Sequence, residues 1–173
     1  SHCYEVNEDI LLRPLTMKDA QQSYDVVCKN RSHLKPSLPW VEHVNCLEDE
    51  VKWLKSSMQD IQNGTSLQMG IFETKTSKLI GMCGFVNISD RNGWIGYWLG
   101  SDFTGKGLMT QCCRKVMEIG FQKLKLKKLI IHAKPENRKS QAVAERLGFV
   151  CNGELQNVLY FGVESEMMVY ECT

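Results

Sequence analysis

The sequence predicts an α+β fold in which helices cover both faces of a mixed, mostly antiparallel sheet. Three observations carry that expectation. Short apolar or alternating stretches at seven places read as strands. Two longer segments repeat apolar residues every three or four positions, which is the helical period. One of those helices lies between two apolar strands, a unit that makes parallel neighbours, within a run of strands joined by turns, which makes antiparallel ones. The order read from the chain is β-α-α-β-β-β-α-β-α-β-β, in a single domain spanning residues 1–173.

Ile10-Leu11-Leu12-Arg13 is a first short strand, stopped by Pro14. Thr16 is the expected N-cap of a helix from Met17 to about Lys29, with Asp19 in its first turn. Asn30 to Asn45, with Pro36, Pro39 and Trp40, reads as an ordered loop. Asn45-Cys46-Leu47-Glu48 reads as a capping box opening a helix whose apolar positions are Leu47, Val51, Leu54, Met58 and Ile61. Asn63-Gly64 ends it. Strands are expected at Leu67–Phe72, Leu79–Ile88 and Trp94–Leu99, with Asp90-Arg91-Asn92-Gly93 as a turn signal. Met109, Cys113, Val116, Met117, Gly120, Phe121 and Leu124 mark a helix of about four turns. Leu129–Ala133 is an apolar strand, Arg138–Leu147 a shorter helix ended by Gly148, and Val150–Phe161 and Glu164–Cys172 are the closing strands.

Composition narrows the function. The 173 residues carry 21 Lys and Arg against 20 Asp and Glu, a net charge of +1, without the basic excess of a nucleic-acid binder. No apolar run reaches the roughly 20 residues of a membrane span. The start, Ser1-His2-Cys3-Tyr4-Glu5, shows no signal-peptide pattern, and Ser1-His2 reads as the scar of a cleaved tag. The eight cysteines include no C-x-x-C pair, and no histidine stands at zinc-ligand spacing from such a pair. The expectation is a cytoplasmic protein with reduced thiols and no metal.

The most informative segment is Asp102-Phe103-Thr104-Gly105-Lys106-Gly107-Leu108-Met109-Thr110, between an apolar strand and the long helix. Two glycines one residue apart admit a tight turn and a close backbone approach to a ligand. The N–H groups and dipole of the following helix end then favour an anion such as a pyrophosphate. Lys106 adds charge and Thr110 a hydroxyl. A plain turn before a helix explains the glycines equally well if they are taken alone. Gly100 to Lys106 matches a nucleotide P-loop, but Gly107 stands where Ser or Thr should bind magnesium. The dinucleotide fingerprint fails as well, because its third glycine position holds Thr110.

The run from Trp94 to Phe149 resembles the core of the GCN5-related N-acetyltransferases (GNAT). Their pyrophosphate motif, Gln/Arg-x-x-Gly-x-Gly/Ala, has its counterpart in Asp102-Phe103-Thr104-Gly105-Lys106-Gly107, with Asp102 departing from the pattern. Asn137-Arg138-Lys139-Ser140 and Arg146-Leu147-Gly148-Phe149 match a second block. Ile95-Gly96-Tyr97-Trp98-Leu99, Cys28-Lys29-Asn30 and Ser37-Leu38-Pro39-Trp40 are similar to the ribosomal-protein, or RimL-like, branch.

The resemblance implies direct transfer of an acetyl group from acetyl-CoA to an amine, without a metal. It implies that Tyr97, Trp98 and Leu99 meet the pantetheine arm between two diverging strands. Gly105, Lys106, Gly107, Met109 and Thr110 would cradle the pyrophosphate. Asn137 and Ser140 would lie near the thioester, with Ser140 returning a proton to the leaving thiolate; the competing reading makes Ser140 a helix cap. Trp40 would touch the acceptor. Relatives carry a glutamate where this chain has Trp94, and another where it has Leu159 or Tyr160. That leaves the general base open between an ordered water chain, an amine arriving partly neutral, and Glu42 or His43 of the front loop. The implied acceptor is a protein N-terminal α-amine, as on a ribosomal protein. The alternatives are a small amine (polyamine, amino acid or aminoglycoside) and a coenzyme A-binding module with impaired catalysis. A homodimer is also implied by the resemblance, although nothing in the sequence requires one.

Overall fold

A computed structural model describes residues 2–160 and 162–173. Strands β1 (Tyr4–Asn7) and β2 (Ile10–Arg13) form a hairpin. A 3-10 turn, Met17–Asp19, leads into α1 (Ala20–Lys29). A short α2 (Arg31–Leu34) and a 3-10 stretch (Pro39–His43) precede α3 (Leu47–Asn63). Then come β3 (Leu67–Glu73), β4 (Leu79–Ser89), β5 (Asn92–Leu99), α4 (Leu108–Glu118), a π-helical turn (Ile119–Lys123) and β6 (Lys128–Ala133). The chain closes with α5 (Arg138–Arg146), β7 (Val150–Tyr160) and β8 (Val163–Cys172).

The strands form one sheet in the order β1-β2-β3-β4-β5-β6-β8-β7. Among the described strand pairs, only β5 and β6 run parallel. On one face α4 and α5 pack Cys112, Cys113, Val116, Val143 and Ala144 onto Met69, Ile71, Cys83 and Phe85. On the other, α1 and α3 pack Ala20 and Leu54 onto Phe72, Leu79 and Met82. The expected α+β class and the helices on both faces are therefore present. The expected order lacked two pieces, β1 and α2. An Asx turn closes the first hairpin, with Asp9 N–H donating to Asn7 Oδ1 at 2.8 Å. Phe161, the expected end of the seventh observed strand, lies outside the described residues.

Three local expectations need correction. The carboxylate that reaches back at the start of α3 is Asp49, accepting from Asn45 N–H at 2.9 Å, and the N-cap is Cys46. The hairpin between β4 and β5 turns on Asp90 and Arg91, both with positive φ, so Asn92 and Gly93 already belong to the strand. The long helix does not stay α to its end; its last turn widens into the π form, and Leu124 N–H reaches Ile119 C=O at 3.0 Å.

That end geometry positions β6. The Arg91 guanidinium donates to Lys125 C=O at 3.0 and 3.1 Å, and Lys127 N–H donates to Arg91 C=O at 2.8 Å. The incoming strand is thus pinned beside the start of β5. Pairing then runs for only three residues, Asn92, Gly93 and Trp94 opposite Lys128, Leu129 and Ile130. Beyond Trp94 the two strands part. A register shift between Phe85 and Asn87 on β4 lies directly across from the point of departure.

Gly93 sits at the last stretch of contact. A Cβ there would come within 2.6 Å of the Phe85 ring and 2.7 Å of Leu126. Both neighbours are buried, so neither side chain has room to retreat. Gly93→Ala is expected to destabilise the fold by about 1–3 kcal/mol, the usual cost of overpacking. Urea unfolding of the variant beside the unmodified protein checks this.

Candidate active site

The divergence of β5 and β6 opens a cleft of about 860 Å³. Its walls are Trp94–Leu99 on one side and His132, Ala133 and Lys134 on the other, closed by the first turns of α4 and α5. Tyr97, Trp98, Leu99, Gly105, Gly107, Met109, Thr110, Asn137 and Ser140 all line it. Lys106 is exposed on the same loop and is not a lining residue. Trp40 lines a separate, smaller hollow and faces Trp98 across 6.4 Å with the rings tilted by 54°.

The glycine loop is built for close approach. Gly105 and Gly107 have φ of +81° and +72°, and a Cβ on either would meet nothing within 4 Å. Their conformation, and not crowding within the chain, is what calls for glycine there. Gly107 is the N-cap of α4, and Gln111 N–H closes the first turn on Gly107 C=O at 3.3 Å. The N–H groups of 108–110, ahead of that bond, have no intrahelical acceptor. The loop is held from behind: the Asn30 side chain accepts from Ser101 N–H at 2.9 Å and donates to Val26 C=O at 2.9 Å. Asp102, which departs from the family motif, pairs with Lys29 at 3.2 Å. Both groups are well exposed, so that pair contributes about 0–1 kcal/mol.

The cleft is one-signed. Lys134, Arg138, Lys139 and Arg146 line it, with His33 and His132, and among the described residues no carboxylate does. Burial lowers the pKa of His132, which keeps its ring neutral at pH 7, 5.3 Å from the Trp94 ring. The front loop bridges the mouth, with Lys134 Nζ donating to Pro36 C=O at 3.0 Å and Asn137 Nδ2 donating to Ser37 Oγ at 3.3 Å.

The cap of α5 is Asn137, whose Oδ1 accepts from Ser140 N–H at 3.2 Å. Ser140 is therefore not the cap. Its hydroxyl oxygen instead accepts from the Tyr97 hydroxyl at 3.1 Å, which leaves the Ser140 proton free to be given elsewhere. Burial holds the Tyr97 phenol far above its ordinary pKa, so it remains a donor.

The positions of the missing glutamates are now visible. Trp94 is partly exposed on the cleft wall, and Leu159 is 69% exposed on β7. The side chain of Tyr160 lies outside the described residues. Glu42 pairs with Lys35 at 2.9 Å on the surface. Sequence reasoning missed the part played by two residues. Asn30 ties α1 to the glycine loop; the sequence marked it through the Cys28-Lys29-Asn30 resemblance and its place at a helix end, but assigned it no role. Glu50 is buried in the small hollow, 3% exposed. Its signal was available, because it lies three residues after Leu47 and four before Leu54, on the apolar stripe of α3.

A glycine cradle at a helix N-terminus, a cationic wall and a groove between parting strands define a site for a long, phosphorylated thioester. Residues 9–150 match the acetyltransferase (GNAT) domain family, and the chain belongs to that family. It is an acetyl-CoA-dependent N-acetyltransferase. The chain is 30% identical over 154 residues to the ribosomal-protein-serine acetyltransferase of Escherichia coli, covering 88% of this chain and 85% of that one. In structure it is similar to the RimL ribosomal L7/L12 alpha-N-protein acetyltransferase in complex with coenzyme A, with a TM-score of 0.90, 25% identity, and 99% and 97% of the two chains covered. It is also similar to the microcin C7 self-immunity acetyltransferase MccE in complex with acetyl-CoA and AMP, with a TM-score of 0.86, 30% identity, and coverage of 97% and 94%.

Coenzyme A should stabilise the folded chain. At 100-fold excess over Kd the gain is about 2.7 kcal/mol. For a chain of this size that corresponds to about 2–4 °C in Tm per kcal/mol. ATP with magnesium has no pantetheine arm to occupy the strand opening and should raise Tm less. Thermal melts with each ligand check the ranking.

Proposed function

We propose that the chain acetylates the α-amine at a polypeptide N-terminus, as on a ribosomal protein. The observation that carries the reading is the near-complete coverage, in sequence and in fold, of enzymes named for that acceptor. Cytoplasmic residence and a homodimeric state belong to the same reading.

In this reading the backbone of Tyr97, Trp98 and Leu99 meets the pantetheine arm. Gly105, Gly107, Met109 and Thr110 hold the pyrophosphate against the N-terminus of α4, and exposed Lys106 adds charge from outside. Asn137 fixes the first turn of α5 and so places Ser140 at the thioester end. When bound, acetyl-CoA supplies the activated acetyl group; the chain supplies alignment and proton transfer. Ser140 gives its proton to the departing thiolate and is replenished by the proton the nitrogen sheds as the amide forms, while the Tyr97 hydroxyl, which donates to Ser140 Oγ and stays neutral, holds Ser140 in position. Trp40 touches the acceptor.

A second reading keeps the chemistry and changes the acceptor to a small amine that carries a planar ring. The facing rings of Trp40 and Trp98, and the AMP bound to the similar MccE structure, favour it. Turnover of acetyl-CoA against peptides with free or blocked N-termini, polyamines, amino acids, aminoglycosides and aminoacyl nucleotides decides between them. Free-amine peptides should be preferred, with blocked peptides inert. Preference for a ring-bearing small amine would establish the second reading, and absence of turnover with every amine would overturn both.

Ser140→Ala is expected to lower kcat and kcat/KM together, by the roughly 10²–10⁴-fold typical of a lost general acid. Because Asn137 caps α5, Tm should hardly move, and acetyl-CoA affinity should be kept. Steady-state kinetics, a melt and calorimetry on one preparation check all three.

A further inference from the structure

We propose that the hollow above Gly84 and Gly96 receives the acceptor's ammonium, and that the Glu50 carboxylate is the base that takes its proton. The inference rests on amine acetylation itself and not on the acceptor being a polypeptide.

The floor of the hollow is sheet backbone that the Leu67 carbonyl and the Val86 side chain approach closely. Gln68, Gly84 and Gly96 stand opposite one another across β3, β4 and β5, and two of the three are glycine. The remaining space is about 50 Å³, enough for an ammonium head or one to two waters. It adjoins the acetyl end of the cleft, because Leu38, Val86, Gly96, Tyr97 and Trp98 line both. Between an amine seated there and the cleft stand the Gly96 backbone and the Val86 side chain, whose Cγ1 covers the place a Gly96 Cβ would take, so the amine reaches the thioester past Val86.

Glu50 is the charged group of this hollow. Its Oε1 accepts from Ser23 Oγ at 2.6 Å. Among the described lining residues there is no lysine, arginine or histidine. A buried carboxylate without a counter-ion is costly to ionise, and the first turn of α3 offers only the partial charge of its dipole. An arriving ammonium supplies the missing cation. Trp40, Trp53 and Trp98 add aromatic rings to the lining, surfaces suited to a cation. Burial raises the Glu50 pKa, with the Ser23 bond pulling it partly back, which moves the carboxylate toward the range where a base works near neutral pH.

The proton balance closes. The ammonium R–NH₃⁺ gives one proton to Glu50 and becomes R–NH₂. Its lone pair forms the C–N bond at the acetyl carbon while the C–S bond breaks. The second nitrogen proton is lost as the amide forms, and one proton reaches the thiolate by way of Ser140. Glu50 then releases its proton to solvent.

The pH dependence follows. Activity needs ionised Glu50, so kcat/KM falls as pH drops through its raised pKa. The titratable groups facing the hollow from β4 and β5 are Cys83 and Tyr97, both held neutral by burial. The lining residues from α1 (Ser23, Val27) and the front loop (Leu38, Trp40, Val44) do not titrate. His132 titrates on the acidic side too, but from the cleft wall, so variants assign the limb.

Glu50→Gln preserves shape and still accepts from Ser23, so it should fold and bind acetyl-CoA normally. The expected result is a loss of about 10²–10⁴-fold in kcat/KM at neutral pH, with the acidic limb gone. Glu50→Asp should retain the limb at reduced rate, and His132→Gln should retain it too. Activity within threefold of the unmodified protein in Glu50→Gln, a rate loss with the limb intact, or a limb that disappears with His132→Gln overturns the proposal. Serinamide binding, followed by tryptophan fluorescence in the coenzyme A-loaded protein, needs no turnover. It should saturate in the unmodified protein and vanish in Glu50→Gln. Absence of binding in the unmodified protein overturns the hollow's role, whereas binding of serinamide together with inert peptides overturns only the polypeptide acceptor.

Discussion

The site depends on a parallel strand pair that is made and then abandoned. A parallel connection needs a crossover, and α4 with its π turn provides it. The Arg91 guanidinium and the Lys127 N–H fix where the returning strand starts. Gly93, in the middle of the paired stretch, leaves the space that the Phe85 ring and Leu126 fill. Three residue pairs later the strands part, opposite the bulge at Phe85–Asn87. Backbone N–H and C=O groups along the parting edges then have to find partners other than each other. A ligand with amide groups of its own, as the pantetheine arm has, suits that edge better than a purely apolar one.

Charge divides the two sides of this opening. The large cleft is lined by four permanent cations and no described carboxylate. The small hollow contains one carboxylate and no described cation. Neither arrangement stabilises the empty protein, since like charges repel and an unpaired buried carboxylate resists ionisation. Both become favourable on loading, with an anionic cofactor on one side and a cationic acceptor on the other. The near-zero net charge of the chain conceals this, because the balance of 21 against 20 is a sum over opposing local excesses.

Most of the fold was legible because its signals are local. The period of α4, the alternation of the strands and the stop at Gly64 need no partner to be read. The cleft loop was legible for the same reason, as two glycines before a periodic helix. What escaped depends on neighbours distant in sequence. The turn signal Asp90-Arg91-Asn92-Gly93 contained the turn, at Asp90 and Arg91, but not its limits: Asn92 and Gly93 are strand, and the glycine serves packing against Phe85 and Leu126. β1 escaped because a four-residue edge strand has too few alternations to stand out. Glu50 escaped because the helix face was read from its apolar members alone. The stripe through Leu47, Val51 and Leu54 carries Glu50 inward, while Asp49 stays outside to hold Asn45.

The two carboxylates missing from the strands and the one present on α3 bear on a single chemical requirement. An acceptor that arrives as an ammonium must lose two protons, one before attack and one as the amide forms, and the reacting carbon cannot have base and acid crowded on one side. Ser140 comes from α5 and Glu50 from α3, helices on opposite faces of the sheet. Between them β5 presents Gly96, with Tyr97 directed at Ser140 and Trp98 at the acceptor side. A base on β5 itself, at the position of Trp94, would reach the amine from within the cleft and would add a negative charge to a wall that is otherwise cationic. Placing the base on α3 keeps that charge out of the cofactor's field and under the aromatic rings, where the arriving ammonium would supply its counter-ion. The arrangement therefore reads as a relocation of the base, and the strand position that lacks a carboxylate is not by itself an argument against catalysis.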